Sequence, residues 1–185
     1  MTFAREDIIT SVPAMIKRIK KTNGYTTEIV FSLQDVMSNK QLLITKEEVI
    51  NEFNKLIRKI KNIIGTNKPS NIPREKIWRI GHTILEERKK IGKKYGVDIT
   101  NIIQAVAEEL SLSRMSIQRM VQFSAMLPKN KVMEEISWGK YQEAIQIINK
   151  VDFNLCITLI ENGELKTTTE IRNYVRQKNN ERKAK

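Results

Sequence analysis

The chain has 185 residues, of which 40% are hydrophobic and 29% are charged. A chain of this size and composition can bury a core in one domain or two small ones, which excludes a disordered protein. The 33 basic and 21 acidic residues give a formal net charge of +12. This excess favours a polyanionic partner, and nucleic acid is the simplest candidate.

Cysteine usage and hydropathy indicate the compartment. Cys156 is the only cysteine, so no internal disulfide can form and secretion gains no support. No apolar run approaches the roughly 20 residues of a membrane helix. The opening "MTFAREDIIT" lacks the apolar stretch of a signal peptide. We therefore expect a cytoplasmic protein, associated with a nucleoid or plasmid and not with a membrane.

The first segments of the chain predict helices. Pro13 suits a first helical turn, and "AMIKRIKK" follows it until Asn23 and Gly24 end the segment. In "TTEIVFSLQDVMSN" the apolar residues recur at helical spacing, which favours a second helix. The run from Ile29 to Phe31 also fits a short strand, so both alternatives stay open at this point.

A stronger helix follows. Thr45 and Glu48 form a capping-box pattern at its start, and Gly65 ends it. Residues 1–66 therefore predict a small helical N-terminal domain, whose role the sequence does not indicate. The apolar face of this helix consists of Val49, Phe53, Leu56, Ile60 and Ile63.

The segment 67–73, with two prolines among polar residues, predicts a linker and a domain boundary. After it, "REKIWRIGHTILEERKKIGKKYG" predicts a long amphipathic helix that Gly96 closes. Its inward residues are Ile77, Ile80, Ile84 and Leu85. Its outer face carries a basic run of Arg88, Lys89, Lys90, Lys93 and Lys94.

The remaining chain also predicts helices. Asp152 is placed to cap one of them, and Thr167, Thr168 or Thr169 begins the next. We expect one domain over 74–178 and a polar tail over 179–185. The predicted fold class is mainly α, a helix-turn-helix DNA-binding domain preceded by the small helical N-terminal domain.

The stretch "AVAEELSLSRMSIQRMVQF" predicts two short helices that divide at Ser111 and Leu112. Ala107 is small enough for a close helix crossing, and Ser113 is placed to cap the second helix. The turn of such a unit usually carries Gly, because one residue there has a positive backbone angle φ. Ser111 holds that position here. The buried spacing is occupied by Val106, Ala107, Leu110, Leu112, Ile117 and Met120.

The exposed face of the second helix predicts DNA recognition. Arg and Gln side chains form two-pronged hydrogen bonds with guanine and adenine in the major groove. A plain helical hairpin is the alternative. The candidate base-reading residues are Arg114, Met115, Gln118, Arg119 and Gln122. The candidate phosphate contacts are Ser113, Ser116, Arg88, Lys89, Lys90, Lys93 and Lys94.

These residues carry a resemblance. "AVAEELSLSRMSIQRMVQFSAMLPKNKVMEEISWGKYQEAI" resembles the helix-turn-helix segment of ParB-type partition proteins, over about residues 84–150. That family shows V-A-x-x-L, then S-R-x-x-I/V, then L-P and a short helix with a Gly. The resemblance implies sequence-specific DNA binding. The arginine-rich nucleotide box of that family has no counterpart here, so CTP binding is not implied.

A second resemblance covers an overlapping part of the chain. The start Trp78-x-Ile80-Gly81 and the element Ser137-Trp138-x-x-Tyr141 are similar to the helical N-terminal domain that is fused to PD-(D/E)xK nucleases. The nuclease half of those proteins has no counterpart in this chain. Both resemblances imply a helical module associated with DNA.

The sequence gives little support for enzyme chemistry. Asp152, Glu164 and Lys166 match D-x11-E-x-K, the loose pattern of metal-dependent nucleases, but they lie in helical context instead of on adjoining strands. His82 is the sole histidine and has no neighbouring ligand for zinc. Glutamate doublets such as Glu86-Glu87 predict solvated helix faces. We expect no catalytic residues, no metal and no cofactor.

The sequence therefore predicts a sequence-specific protein for double-stranded DNA, a partition or regulatory factor of a plasmid, virus or other mobile element. We expect a homodimer, because one helix-turn-helix covers too little DNA for tight specific binding. The alternative is a helical adaptor for a protein partner, such as a nuclease or a partition ATPase. A metal-dependent nuclease is the least supported reading.

Overall fold

A computed structural model of the chain describes residues 12–21, 24–31, 39–66 and 71–183. About 70% of the described residues are helical, with a small three-stranded sheet, so the prediction of a mainly α fold is confirmed. The strands are β1 (Val12–Lys21), β2 (Gly24–Phe31) and β3 (Val97–Ile99). The helices of the described residues are α1 (Asn39–Ile64), α2 (Arg74–Tyr95), α3 (Ile102–Leu110), α4 (Arg114–Met126), α5 (Trp138–Ala144), α6 (Lys150–Glu161) and α7 (Thr168–Lys183).

The first two segments are strands, so the helices predicted there are wrong. β1 and β2 pair antiparallel, with Ile16 opposite Ile29 and Lys21 opposite Gly24. Burial alternates along β1, where Ala14 and Ile16 are buried and their neighbours Met15 and Lys17 are exposed. This period of two is the pattern of a strand with one face on a core. The strand alternative from Ile29 to Phe31 is confirmed.

β1 also pairs with β3, which lies beyond the predicted domain boundary. The two strands run parallel, and Val12 is the partner of Val97. The side-chain amide of Asn101 extends this ladder. Its Oδ1 accepts a hydrogen bond from the Ile16 N–H at 2.8 Å, and its Nδ2 donates to the Ile16 carbonyl at 2.7 Å. The sheet has the order β2-β1-β3.

The chain accordingly forms two compact units that the segment 67–73 does not separate. Unit 1 consists of Met1–Asn62 and Thr83–Ile117, and unit 2 consists of Ile63–His82 and Gln118–Lys185. Each unit thus combines chain from both sides of the predicted boundary. The division into domains 1–66 and 74–178 is therefore replaced, because the strand pairing joins β1 to β3.

In unit 1, one face of α1 is buried as the sequence predicts. Val49, Phe53, Leu56 and Ile60 are each fully buried. The helix begins at Asn39, so Thr45 lies inside it and the predicted start is wrong. It ends at Ile64, and Gly65 follows with φ of 61°, as expected for a helix-ending glycine.

Two buried carboxylates join α1 to α2 within unit 1. Glu52 lies 3.0 Å from Lys55 Nζ and 3.4 Å from Lys90 Nζ. Glu87 pairs with Lys59 and lies 3.6 Å from Lys90 Nζ. Hydrogen bonds from Lys55 and Lys90 hold the pKa of the Glu52 carboxyl below its usual range. The prediction that Glu87 lies on a solvated face is wrong, because its side chain packs beneath these lysines.

In unit 2, α2 and α4 pack backbone against backbone at Gly81. A Cβ added at Gly81 would lie 2.0 Å from the Met120 carbonyl oxygen and 2.8 Å from Ser124 Oγ. Trp78 is buried nearby and donates a 2.6 Å hydrogen bond from Nε1 to the Leu127 carbonyl. Only glycine allows this approach, since any side chain would meet backbone atoms.

Polar side chains cap the helices of unit 2. Asn149 caps α6, accepting from Val151 N at 2.8 Å, so the predicted cap Asp152 is wrong. Asp152 instead lies 2.7 Å from Arg182 Nε. The predicted start of α7 is confirmed, because Thr167 Oγ1 accepts from the N–H three residues later at 3.2 Å. α7 continues to Lys183, so the residues of the predicted polar tail up to position 183 belong to this helix.

Candidate nucleic-acid interface

The connection between α3 and α4 has a left-handed residue at the expected place. Ser111 has φ of 53° and ψ of 39°, and it is the one non-glycine residue with positive φ in the described part of the chain. The N–H of Leu112 donates to the Ala107 carbonyl at 2.9 Å, which closes the end of α3. This geometry ends α3 abruptly and directs the chain into a second helix.

Ser113 caps α4, as the sequence predicts. Its Oγ accepts a hydrogen bond from the Ser116 N–H at 3.0 Å and lies 2.8 Å from Ser116 Oγ. The first turn of α4 contains no acidic residue. The partial positive charge at the N-terminus of this helix is therefore not compensated by a carboxylate of its own first turn.

The start of α4 presents its polar side chains to solvent. Ser113, Arg114 and Met115 are exposed, and 55% of the Met115 surface is accessible. Ser116 is half-buried beside them in unit 1. Arg114 forms no ion pair with any described residue, so its guanidinium is available to a ligand.

The remaining predicted base readers lie further along α4, in unit 2. Gln118 and Arg119 are half-buried and Gln122 is exposed. The pKa of the Glu143 carboxyl is held below its usual range mainly by Arg172, whose Nη2 lies 2.6 Å away, and more weakly by the charge of Arg119. Arg119 therefore lies within electrostatic range of the Glu143 carboxylate.

The basic run on α2 is partly neutralised within unit 1. Arg88 forms a two-pronged pair with Asp98, with Nε–Oδ1 of 3.0 Å and Nη2–Oδ2 of 3.1 Å. Lys90 lies between two buried carboxylates, and the charge of Glu87 together with Glu52 raises the pKa of the Lys90 ammonium. These two predicted phosphate contacts are thus already engaged by carboxylates of the protein.

The other three lysines of the run are better placed to bind an anion. Lys89, Lys93 and Lys94 are exposed, and none of them forms an ion pair within the described ranges. Lys94 Nζ lies 4.8 Å from the centroid of the Tyr95 ring. Together with Lys90 and Glu86, they line a shallow groove of about 410 Å³ along α2.

The residues considered for enzyme chemistry are not brought together as a metal site. Asp152 is in α6 and Glu164 lies between α6 and α7, so neither is on a strand. Among the described residues, no group of three His, Cys, Asp or Glu side chains is placed to hold a metal ion. His82 is exposed and stacks on Trp78, with ring centroids 4.6 Å apart. Burial raises the pKa of the Cys156 thiol to about 12.

The sequence marks Gly81 only as part of the second resemblance and gives it no packing role, although it makes a close helix contact. Ala107 is buried, as predicted for a small residue at a helix crossing. A closer backbone approach than an alanine would allow is at Gly81, where α4 packs on α2 within unit 2. A glycine in the middle of a strongly amphipathic helix was the available signal, since glycine there costs stability unless packing requires it.

None of the helices in the described ranges is long and apolar enough to cross a membrane. No family model matches this chain, and no curated protein or solved structure is detectably similar to it. The resemblances to ParB-type proteins and to nuclease-fused helical domains therefore stay expectations from sequence motifs. Any assignment of function depends on the geometry and charge of this chain itself.

Proposed function

We propose that this protein binds double-stranded DNA sequence-specifically and that the first turns of α4 read bases in the major groove. The observation that carries the proposal is the exposed, acid-free start of α4, which follows a left-handed turn and presents Arg114 and Met115 to solvent. A partition or regulatory role on a plasmid, virus or other mobile element is consistent with such binding.

The electrostatics of unit 1 support an anionic ligand. The start of α4 attracts phosphate because its backbone N–H groups and helix dipole favour negative charge. The groove of Lys89, Lys93 and Lys94 on α2 adds exposed cations without carboxylate partners among the described residues. The formal net charge of +12 favours association with DNA at low ionic strength.

The side chains of α4 suit base edges of different kinds. Arg114 matches the two acceptors of guanine, and Gln118 and Gln122 match the donor and acceptor of adenine. Met115 offers an apolar surface for a thymine methyl group. Arg119 is the weaker candidate among the arginines, because it is half-buried whereas Arg114 is exposed.

Selection of bound duplexes from a random pool, followed by competition binding at several salt concentrations, tests the proposal. Arg114→Ala should cost about 1–3 kcal/mol on the selected sequence and little on random DNA, because it removes a base contact. Arg119→Ala should cost less than Arg114→Ala. Lys93→Ala should weaken both DNAs alike and lower the salt slope by about one unit.

The matched control is Lys61→Ala, which removes an exposed lysine from the end of α1 and should leave both affinities unchanged. A pool that yields no preferred sequence would contradict specific reading. If Arg114→Ala also leaves DNA binding unchanged, the α3–α4 segment is a plain helical hairpin. The adaptor for a nuclease or partition ATPase then becomes the better hypothesis.

A further inference from the structure

Helix α6 carries apolar side chains on two faces, and only one of them packs into the protein. Phe153, Cys156, Ile157 and Ile160 are buried in unit 2. On the other face, Val151 is 72% exposed and Leu155 is 48% exposed, and Ile148 just before the helix is 73% exposed. Isolated exposed apolar residues are ordinary, but adjacent ones mark an interaction surface.

The exposed residues form a stripe along the helix. Val151, Leu155 and Thr158 follow one another at intervals of four and three residues, which places them on one face. With Ile148 they constitute the α6 stripe, and the stripe contains no charged residue. Its spacing is the one by which two helices pack against each other.

One basic and one acidic residue flank the α6 stripe at opposite ends. Lys150 begins α6 and Glu161 ends it, and both are exposed. Neither forms an ion pair within the part of the chain that the structure describes, whereas Asp152 is engaged by Arg182. The two residues are 11 positions apart. This spacing is three helical turns plus about 20°, so they lie on the same side of the stripe.

We propose that the α6 stripe binds a second copy of this chain, with the two α6 helices antiparallel about a two-fold axis near Leu155. Such an axis is perpendicular to both helices, so the same side of each α6 helix lies on the same side of the pair. Lys150 of one chain therefore lies opposite Glu161 of the partner subunit, and the reciprocal pair forms as well. Leu155 and Val151 lose their contact with water in the centre.

This charge arrangement is the reason to name a second copy as the occupant. A helix with opposite charges at equal distances from its centre is complementary to itself when reversed. In a parallel arrangement, Lys150 would lie at the same height along the helices as Lys150 of the partner subunit. Neither Lys150 nor Glu161 would then face an opposite charge on the other chain. The proposal concerns this surface alone and stands whether or not the chain binds DNA.

Sedimentation equilibrium of the full chain over a range of concentrations tests the surface. The wild type should form dimers reversibly, and Leu155→Glu or Val151→Glu should raise the dimer dissociation constant by about 100-fold, since a charge then enters the apolar centre. Met15→Glu is the matched control, because Met15 is 46% exposed on β1 and lies outside the stripe. Its dimer dissociation constant should match that of the wild type. Circular dichroism checks that each variant is folded.

Charge reversal tests the antiparallel arrangement. Lys150→Glu or Glu161→Lys alone should weaken the dimer by about tenfold, because each places like charges opposite each other twice. The double variant Lys150→Glu with Glu161→Lys should restore wild-type affinity. A wild type that stays monomeric up to its solubility limit, or a dimer unaffected by Leu155→Glu, overturns the proposal. Failure of the double variant to restore affinity overturns the antiparallel pairing.

Discussion

The two compact units join distant parts of the chain by different means. In unit 1, polar groups make the long-range connections, because the Asn101 amide holds Ile16 and the carboxylates of Glu52 and Glu87 hold lysines from two helices. In unit 2, α2 and α4 meet at Gly81 with no room for a side chain, a steric connection that lies beside the hydrogen bond from Trp78 to the Leu127 carbonyl.

This difference determines what each unit is sensitive to. A polar connection requires both partners, and the group that is left behind after a substitution loses its hydrogen bonds in a buried place. It also depends on pH where one partner is a carboxylate. A steric connection is indifferent to pH and sensitive to volume. The following substitutions test this contrast, beginning with the largest expected effect.

Gly81→Ala should lower the free energy of unfolding by about 3 kcal/mol, because the new methyl group overlaps backbone atoms of α4 that cannot move independently. Denaturant unfolding measures the loss. Gly92→Ala is the matched control on the same helix, since its Cβ would meet only the Val97 carbonyl oxygen at 3.7 Å. That variant should be neutral or more stable by up to about 1 kcal/mol. Equal losses in both would refute a steric connection in unit 2.

Asn101→Ala should cost about 2 kcal/mol, because the N–H and carbonyl of Ile16 each lose a partner. Hydrogen exchange of the Ile16 amide should accelerate along with the loss of stability. Asn173→Ala, which truncates an exposed asparagine on α7, serves as the comparison and should change little. An unchanged Ile16 exchange rate would show that the strand ladder does not need this amide.

Two substitutions at the α3–α4 connection should act in opposite directions. Ser111→Gly should stabilise the protein by about 1 kcal/mol, since glycine adopts the left-handed conformation without steric cost. Ser113→Ala should destabilise it by about 1 kcal/mol through loss of the cap. Thermal unfolding of both variants gives the signs. If Ser111→Gly destabilises the protein, the Ser111 side chain contributes more to stability than the left-handed backbone conformation of Ser111 costs.

The smallest expected effect concerns acid. The pKa of the Glu52 carboxyl lies below its usual value of 4.5, chiefly because of its hydrogen bond with Lys55. A lowered pKa gives stability that is present above the unfolded value and is lost as pH falls through the folded value. Glu52→Gln should therefore reduce the dependence of stability on pH below 4.5. Urea midpoints measured from pH 6 to pH 3 test this, and a steeper dependence in the variant would contradict it.

Features that depend on neighbours close in the chain are the ones the sequence predicts well. The buried face of α1 follows from apolar residues at helical spacing, and four of its five predicted members are fully buried. Of the candidate site, the cap at Ser113 and the positive φ at Ser111 are confirmed, because each is determined within about five residues.

Features that depend on distant partners were not predictable in the same way. β1 finds its parallel partner 85 residues later, so no local pattern shows the pairing. The hairpin did have a local signal, since Asn23 and Gly24 are a frequent turn pair between strands, but Pro13 also suits a first helical turn. In the site, Arg88 is neutralised by Asp98 on β3, which only the tertiary structure reveals.

The parallel pairing of β1 also has a consequence for how the protein is made. Translation proceeds at about 5–20 residues per second, so the 85 residues between Ile16 and Asn101 take on the order of 4–17 s to synthesise. For most of that interval β1 and β2 have been synthesised while β3 does not yet exist. A nascent chain with an unpaired strand edge is a substrate for chaperones and a risk for aggregation. Lower growth temperatures slow translation and lengthen that interval. The yield of folded protein during expression should therefore depend on growth temperature.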